Sequence, residues 1–156
     1  MKRVEEDGMS DEMALLVADV YEAAGLLRRS GEAIAATEGQ TQARWQLLSV
    51  ASGEPLTVPQ AARRLGIARQ GVQRVAHDLV GEELAAFEAN PDHKGSPLLV
   101  LTPAGRHTLE RITARATAVH EELAGDIRPD EIGAARELLR RVIDRVRGHE
   151  EAREAR

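Results

Sequence analysis

The sequence predicts a mainly α-helical fold with one small β-hairpin. Three observations carry that expectation. Tyr21, Trp45 and Phe87 are the only aromatic residues, so the core must be built from Leu, Val, Ile and Ala, which suits helix-on-helix packing. Several segments repeat apolar residues every three or four positions, the spacing of a helix with one buried stripe. One stretch breaks that rhythm: Leu84 to Glu88 and Leu98 to Leu101 are short apolar runs around a turn rich in Asn90, Pro91, Asp92 and Gly95.

The elements follow in order. Ser10 is a natural N-cap, with Asp11 and Glu12 set against the positive end of a helix dipole. The helix it opens runs to about Ala36 and buries Met13, Leu16, Val20, Ala24 and Leu27. Thr41 caps a second helix carrying Trp45, Leu48 and Ala51, which Gly53 and Pro55 end. Thr57 and Gln60 have capping-box spacing, Pro59 is tolerated in a first turn, and Gly66 is suited to the left-handed residue after a helix. The next helix buries Val72, Val75 and Leu79 and ends near Gly81. After the hairpin, Thr102 and Pro103 open a fifth helix with a seam of Leu109, Ile112, Ala116, Val119 and Leu123, ended by Gly125. Pro129, Asp130 and Glu131 start a sixth, with Ile132, Ala135, Leu139, Val142 and Val146. Both seams step 3, 4, 3, 4, the spacing of packed helices.

Two short helices across a glycine turn, followed by a hairpin with a charged tip, describe a winged helix-turn-helix, which places one helix in a DNA major groove. The net charge of −5 does not decide against that use. Residues 1–40 carry four basic and nine acidic groups, so the whole acidic excess lies there. From Val58 to Arg74 the chain has Arg63, Arg64, Arg69 and Arg74 and no acid, and DNA affinity follows local neutralisation of phosphates. Arg69, Gln70, Gln73 and Arg74 fall on the face away from Val72, Val75 and Leu79. Arg matches guanine O6 and N7, and Gln matches adenine. A solvated polar face is the alternative explanation of the same residues, and their position in a helix-turn-helix favours DNA contact. Thr57 and Gln60 are explained by capping, with phosphate contact as an alternative.

Composition excludes other chemistry. There is no Cys, hence no disulfide or thiolate metal site. His77, His93, His107, His120 and His149 form no close pair, so no metal site is expected. No nucleophile elbow, phosphate loop or dinucleotide fingerprint occurs, so neither an enzyme nor a cofactor is expected. No apolar run approaches the roughly 20 residues of a membrane span, and the N-terminus lacks a signal-peptide core. A cytoplasmic protein with no membrane partner is the expectation.

From about Asp11 to Gly148 the chain resembles the MarR (multiple antibiotic resistance regulator) family of bacterial transcription factors. The resemblance is strongest in PLTVPQAARRLGIARQGVQR from Pro55 and in NPDHKGSPLLVLTPAGR from Asn90. It implies a homodimer with interlocked terminal helices on a pseudo-palindromic double-stranded DNA operator, most often a repressor released by a small aromatic effector. Residues 10–40 and 103–148 would then form the dimerisation region, 41–102 the DNA-binding lobe, and 1–9 and 149–156 flexible tails. In the wing, Asp92, His93 and Lys94 stand at the DNA-contacting tip, with Lys94 where the family usually has Arg. Asp92 either holds Lys94 or forms an Asx turn. The family's ligand pocket lies between terminal helices and DNA-binding lobe, where Tyr21, Arg44, Trp45 and His107 are the candidates.

Three residues depart from the family pattern. Ala68 stands where a Ser or Thr caps the recognition helix. Glu83 stands where a Gly often precedes the wing, with Gly81 nearby to compensate, and Gly95 replaces a basic residue. These departures and the net acidity keep a second reading open, a winged-helix protein-interaction module without specific DNA binding.

Overall fold

The computed structural model describes residues 2–156, with side chains from Gly8 onward. Six helices and one antiparallel hairpin follow in the order α1 (Lys2–Ala36), α2 (Gln42–Gly53), α3 (Val58–Leu65), α4 (Arg69–Gly81), β1 (Ala85–Glu88), β2 (Leu98–Leu101), α5 (Pro103–Ala124) and α6 (Pro129–Glu154). The expected α+β class is observed, a mainly helical chain with a two-stranded wing. It divides into two compact units, one ending at Ala116 and the other running from Thr117 to Arg156.

The core of the first unit lies under the wing. Leu47, Leu48, Leu56, Val72, Leu79 and Leu99 are fully buried there. Local chemistry explains the element ends. The Arg44 N–H donates to Thr41 Oγ1 at 3.2 Å and starts α2. The capping box at α3 is complete, with the Gln60 N–H donating to Thr57 Oγ1 at 3.3 Å and the Thr57 N–H to Gln60 Oε1 at 2.9 Å. Gly66 takes φ 67°, the left-handed conformation that glycine adopts without penalty. In the hairpin, Ala85 pairs with Leu101 and Glu88 with Leu98. Leu56 adds a bridge to Leu99, making the wing's inner edge three segments wide at that point.

The start of α5 is tied to the wing by polar contacts. Thr102 Oγ1 donates to the Glu83 carbonyl at 2.7 Å and accepts from the Gly105 N–H at 3.0 Å. Further along α5, Arg111 and Arg115 bind the two carboxylate oxygens of Glu38 at 2.6 and 3.0 Å. These hydrogen bonds, Arg111 first, hold the Glu38 carboxyl below its ordinary pKa.

Four expectations need correction. Helix α1 does not begin at Ser10, which lies inside a helix starting at Lys2. Where tails were expected, residues 2–9 and 149–154 are helical. The expected buried stripe of α1 is uncovered within the chain: Met13, Val20 and Leu27 are 43, 40 and 55 % exposed. Among the described residues of α1, the buried apolar side chains are Ile34 and Ala35, near its end. And Gly81 does not compensate for Glu83. It ends α4 without a positive φ, and Glu83 itself takes φ 59°. A residue with a Cβ costs roughly 1–2 kcal/mol in that conformation. Glu83→Gly should therefore raise stability by about 0.5–1 kcal/mol after the flexibility of glycine in the unfolded chain is subtracted. Chemical denaturation should show a higher midpoint with an unchanged slope, and a lower midpoint would refute the strain.

In the second unit α5 ends in a turn at Gly125, and the Arg128 N–H donates to Glu131 Oε2 at 3.0 Å as α6 begins. No residue of α6 is buried.

Candidate nucleic-acid interface

Helix α4 is built to show one face and bury the other. Val72, Ala76 and Leu79 face the core, while Arg69, Gln70 and Arg74 are exposed and Gln73 is half-buried. Val75, expected in the core, is only half-buried, and Ala76 takes the inner position. The helix begins at Ala68 with no side-chain cap, forgoing about 1 kcal/mol that a Ser would contribute.

The charges on this side differ in availability. Arg64 is paired with Glu54, whereas Arg63, Arg69 and Arg74 make no ion pair among the described residues. Asp78 of α4 and Glu82 just beyond its end are turned to a different partner. Arg44 on α2 reaches Glu82 at 2.6 Å and Asp78 at 3.6 Å, and the Gln40 amide donates to Glu82 at 3.2 Å. The result fixes α4 on α2 through its acidic end and leaves its basic end in solvent.

The wing stands beside this helix. A cleft of about 490 Å³ runs between them, with Arg69, Gln70 and Gln73 on one wall and Phe87, Gly95 and Pro97 on the other. A second, of about 530 Å³, is lined by Thr57, Gln60 and Arg63 of the α3 segment and by Asp92 and His93 of the wing. Asp92, His93 and Lys94 are all exposed. Neither reading of Asp92 describes the tip, because Asn90 organises it. Asn90 Oδ1 accepts from the Asp92 N–H at 3.0 Å, and its Nδ2 donates to the Ser96 carbonyl at 3.0 Å. Asp92 and Lys94 form no ion pair among the described residues.

The four residues expected at an effector pocket do not line these clefts. Tyr21 is 77 % exposed on α1 and Trp45 is half-buried on α2. His107 lies 3.8 Å from Glu110 on the surface of α5. Arg44 is engaged with Asp78 and Glu82 as described above. Among the described residues no group of three or more His, Asp or Glu side chains is gathered as for a metal ion, and no helix is long and apolar enough to cross a membrane.

Sequence reasoning missed Asn90, the Arg44 anchor and His77. His77 Nε2 lies 3.1 Å from the Gln73 amide nitrogen, and its ring meets Phe87 edge-on, 6.1 Å between centroids at 81°. The Gln73–His77 spacing of four was a helical signal, but Phe87 is brought there only by the wing.

A helix-turn-helix with its basic face bare and a wing beside it defines a winged-helix protein of the kind that regulates transcription. Comparison with known proteins supplies the family. The MarR family model matches residues 39–94, the span from the α1–α2 loop to the wing tip. An uncharacterized protein of Mycobacterium tuberculosis is 64 % identical over 135 residues, 86 % of this chain and 94 % of that protein. The transcriptional activatory protein BadR of Rhodopseudomonas palustris is 26 % identical over 157 residues, covering 94 % of this chain and 89 % of its own. The structure of the transcriptional repressor CouR bound to a 23-mer DNA duplex superposes with a TM-score of 0.73 at 24 % identity, over 80 % of this chain and 89 % of that one. The chain belongs to the MarR family of transcription regulators and has their winged-helix fold.

Proposed function

We propose that this protein is a sequence-specific DNA-binding regulator that works as a homodimer on a pseudo-palindromic operator, with residues 41–102 as the reading lobe and 10–40 and 103–148 as the dimerisation region. One observation carries the reading: α4 exposes Arg69, Gln70 and Arg74, with Gln73 half-buried beside them, on a face whose guanidinium groups make no ion pair among the described residues, while Asp78 and Glu82 are drawn away by Arg44. Two copies of α4 in successive major grooves would lie about 34–36 Å apart. Arg69 and Arg74 would grip guanines, and Gln70 and Gln73 adenines. Asp92, His93 and Lys94 would meet the flanking backbone, where Lys contributes charge rather than a planar fork.

Repression follows if the operator overlaps a promoter. CouR represses and BadR activates, so the sign belongs to the operator's position rather than to the fold. Release by a small aromatic effector near Tyr21, Trp45 and His107 rests on the family resemblance alone.

Arg74→Ala tests the reading. Against a genomic fragment selected by the wild-type protein, affinity should fall roughly 10–100-fold, the worth of one bidentate base contact, while random DNA loses far less. Equal loss on both would make Arg74 a phosphate contact only. Absence of any salt-dependent binding at low salt would instead support the protein-interaction module.

A further inference from the structure

We propose that His77 is a positioning residue for base readout. It holds the Gln73 amide with its adenine-matching edge toward the groove when neutral, and turns that amide over when protonated. The inference rests on the DNA-reading role proposed for α4.

The geometry starts from one contact, the 3.1 Å between the amide nitrogen of Gln73 and Nε2 of His77, one helical turn apart. A neutral imidazole protonated at Nδ1 offers a lone pair at Nε2, and one amide hydrogen of Gln73 donates to it. The amide oxygen and the other hydrogen are left side by side. That pair is what adenine N6 and N7 require. An imidazolium has no lone pair to offer. Its Nε2–H needs an acceptor, and the nearest is the Gln73 oxygen after a half-turn of the amide. The half-turn exchanges the two ends of the amide edge, so an N–H donor stands where the acceptor for adenine N6 had been, a place that guanine O6 can meet and adenine N6 cannot.

The ring is held in place for this. Its edge-on contact with Phe87 sets its plane, and Phe87 is fixed in β1 opposite Leu99. The wing therefore orients His77, and His77 orients Gln73. Among charged groups, Arg69 on the same helix is the only one lining the cleft; the walls supplied by α3 and the wing carry no ionisable side chain. Asp78, the next residue on α4, is turned to Arg44. No carboxylate in the cleft therefore competes with Gln73 as the acceptor for an imidazolium.

The test uses the full-length protein and a selected operator in which the base pair facing Gln73 is A·T or G·C. That pair is identified as the one at which Gln73→Ala loses discrimination. The ratio of the two affinities is measured at pH 8.0 and pH 5.5. We expect the wild-type ratio to move toward guanine by about tenfold on acidification, the scale of one base-edge contact. None of the other four histidines lines this cleft, so acidification is expected to act through them on both affinities alike and to cancel in the ratio. His77→Phe keeps a ring against Phe87 but has no hydrogen-bonding atom, so its ratio should not change with pH. A wild-type ratio that is the same at both pH values overturns the proposal without recourse to any variant. So does a His77→Phe ratio that shifts like the wild type. Failure of the wild-type protein to select any operator would overturn the DNA-reading role instead, which separates the two claims.

Discussion

Gly105→Ala is expected to destabilise the protein by about 3 kcal/mol, against the general rule that Ala improves a helix by up to about 1 kcal/mol over Gly. Gly105 is buried in the first turn of α5, where a Cβ would stand 1.9 Å from the Leu84 carbonyl oxygen and 2.9 Å from its carbon. Neither side can withdraw cheaply. The Leu84 carbonyl accepts from the Thr102 N–H at 3.1 Å, and the Leu84 N–H donates to the Leu79 carbonyl at 2.9 Å. The helix is held from its own side by Thr102 Oγ1, which bonds both the Glu83 carbonyl and the Gly105 N–H. Relief would require α5 to lift off the α4–β1 turn and break this set together. For a chain of this length a loss of about 3 kcal/mol corresponds to a fall in Tm of roughly 6–12 °C. Thermal unfolding by circular dichroism measures it. Gly71, inside α4 with nothing within 4 Å of its Cβ position, is the control. There the same substitution should be neutral or stabilising, so opposite signs at the two glycines identify the clash. An unchanged Tm for Gly105→Ala would mean that the Leu84 carbonyl retreats freely.

What the sequence revealed and what it concealed divide along chain separation. The capping box at Thr57 and Gln60 and the left-handed turn at Gly66 were legible because each involves residues within one turn of each other. The exposed polar face of α4 was legible because helical periodicity separates Val72 and Leu79 from Arg69, Gln70 and Arg74. The bridge from Leu56 to Leu99 spans 43 positions and has no local signature. The same holds for the pairing of Arg44 with Glu82 and of Glu38 with Arg111. Those side chains are ordinary exposed charges until the fold brings them together. The wing tip failed for a different reason. Asn90, Asp92 and Lys94 all suit a turn, and composition does not say which of them accepts the backbone N–H that closes it. Glu83 is the reverse case: a departure from the family pattern marked the strained residue, although its neighbour Gly81 offered a false remedy.

In the homodimer proposed above, Leu139→Asp is expected to yield a monomer, raising the dissociation constant by at least about a thousandfold. Ile132, Leu139 and Val146 are seven residues apart on α6 and are 39, 39 and 50 % exposed. Met13, Val20 and Leu27 repeat the same interval on α1 and are as bare. A heptad stripe is the pattern by which helices pack on one another, and an apolar stripe left open along a helix marks a surface for a partner. A second copy bearing the same stripes is the occupant that the two-fold operator reading supplies. Burying one leucine contributes about 2 kcal/mol. In a homodimer the substitution acts twice, so about 4 kcal/mol is lost, or roughly a thousandfold in affinity, before the cost of confining a carboxylate is added. Leu139 is absent from the core cluster around Leu48, Leu79 and Leu99, so the reading lobe should keep its fold. Sedimentation velocity at micromolar concentration gives the mass directly. DNA binding gives the functional counterpart. A monomer reads one half-site, so affinity for the full operator should collapse while affinity for random DNA changes much less. A wild-type protein that sediments as a monomer, or a Leu139→Asp variant that remains a dimer, would remove α6 from the interface and with it the geometric basis for reading two half-sites at once.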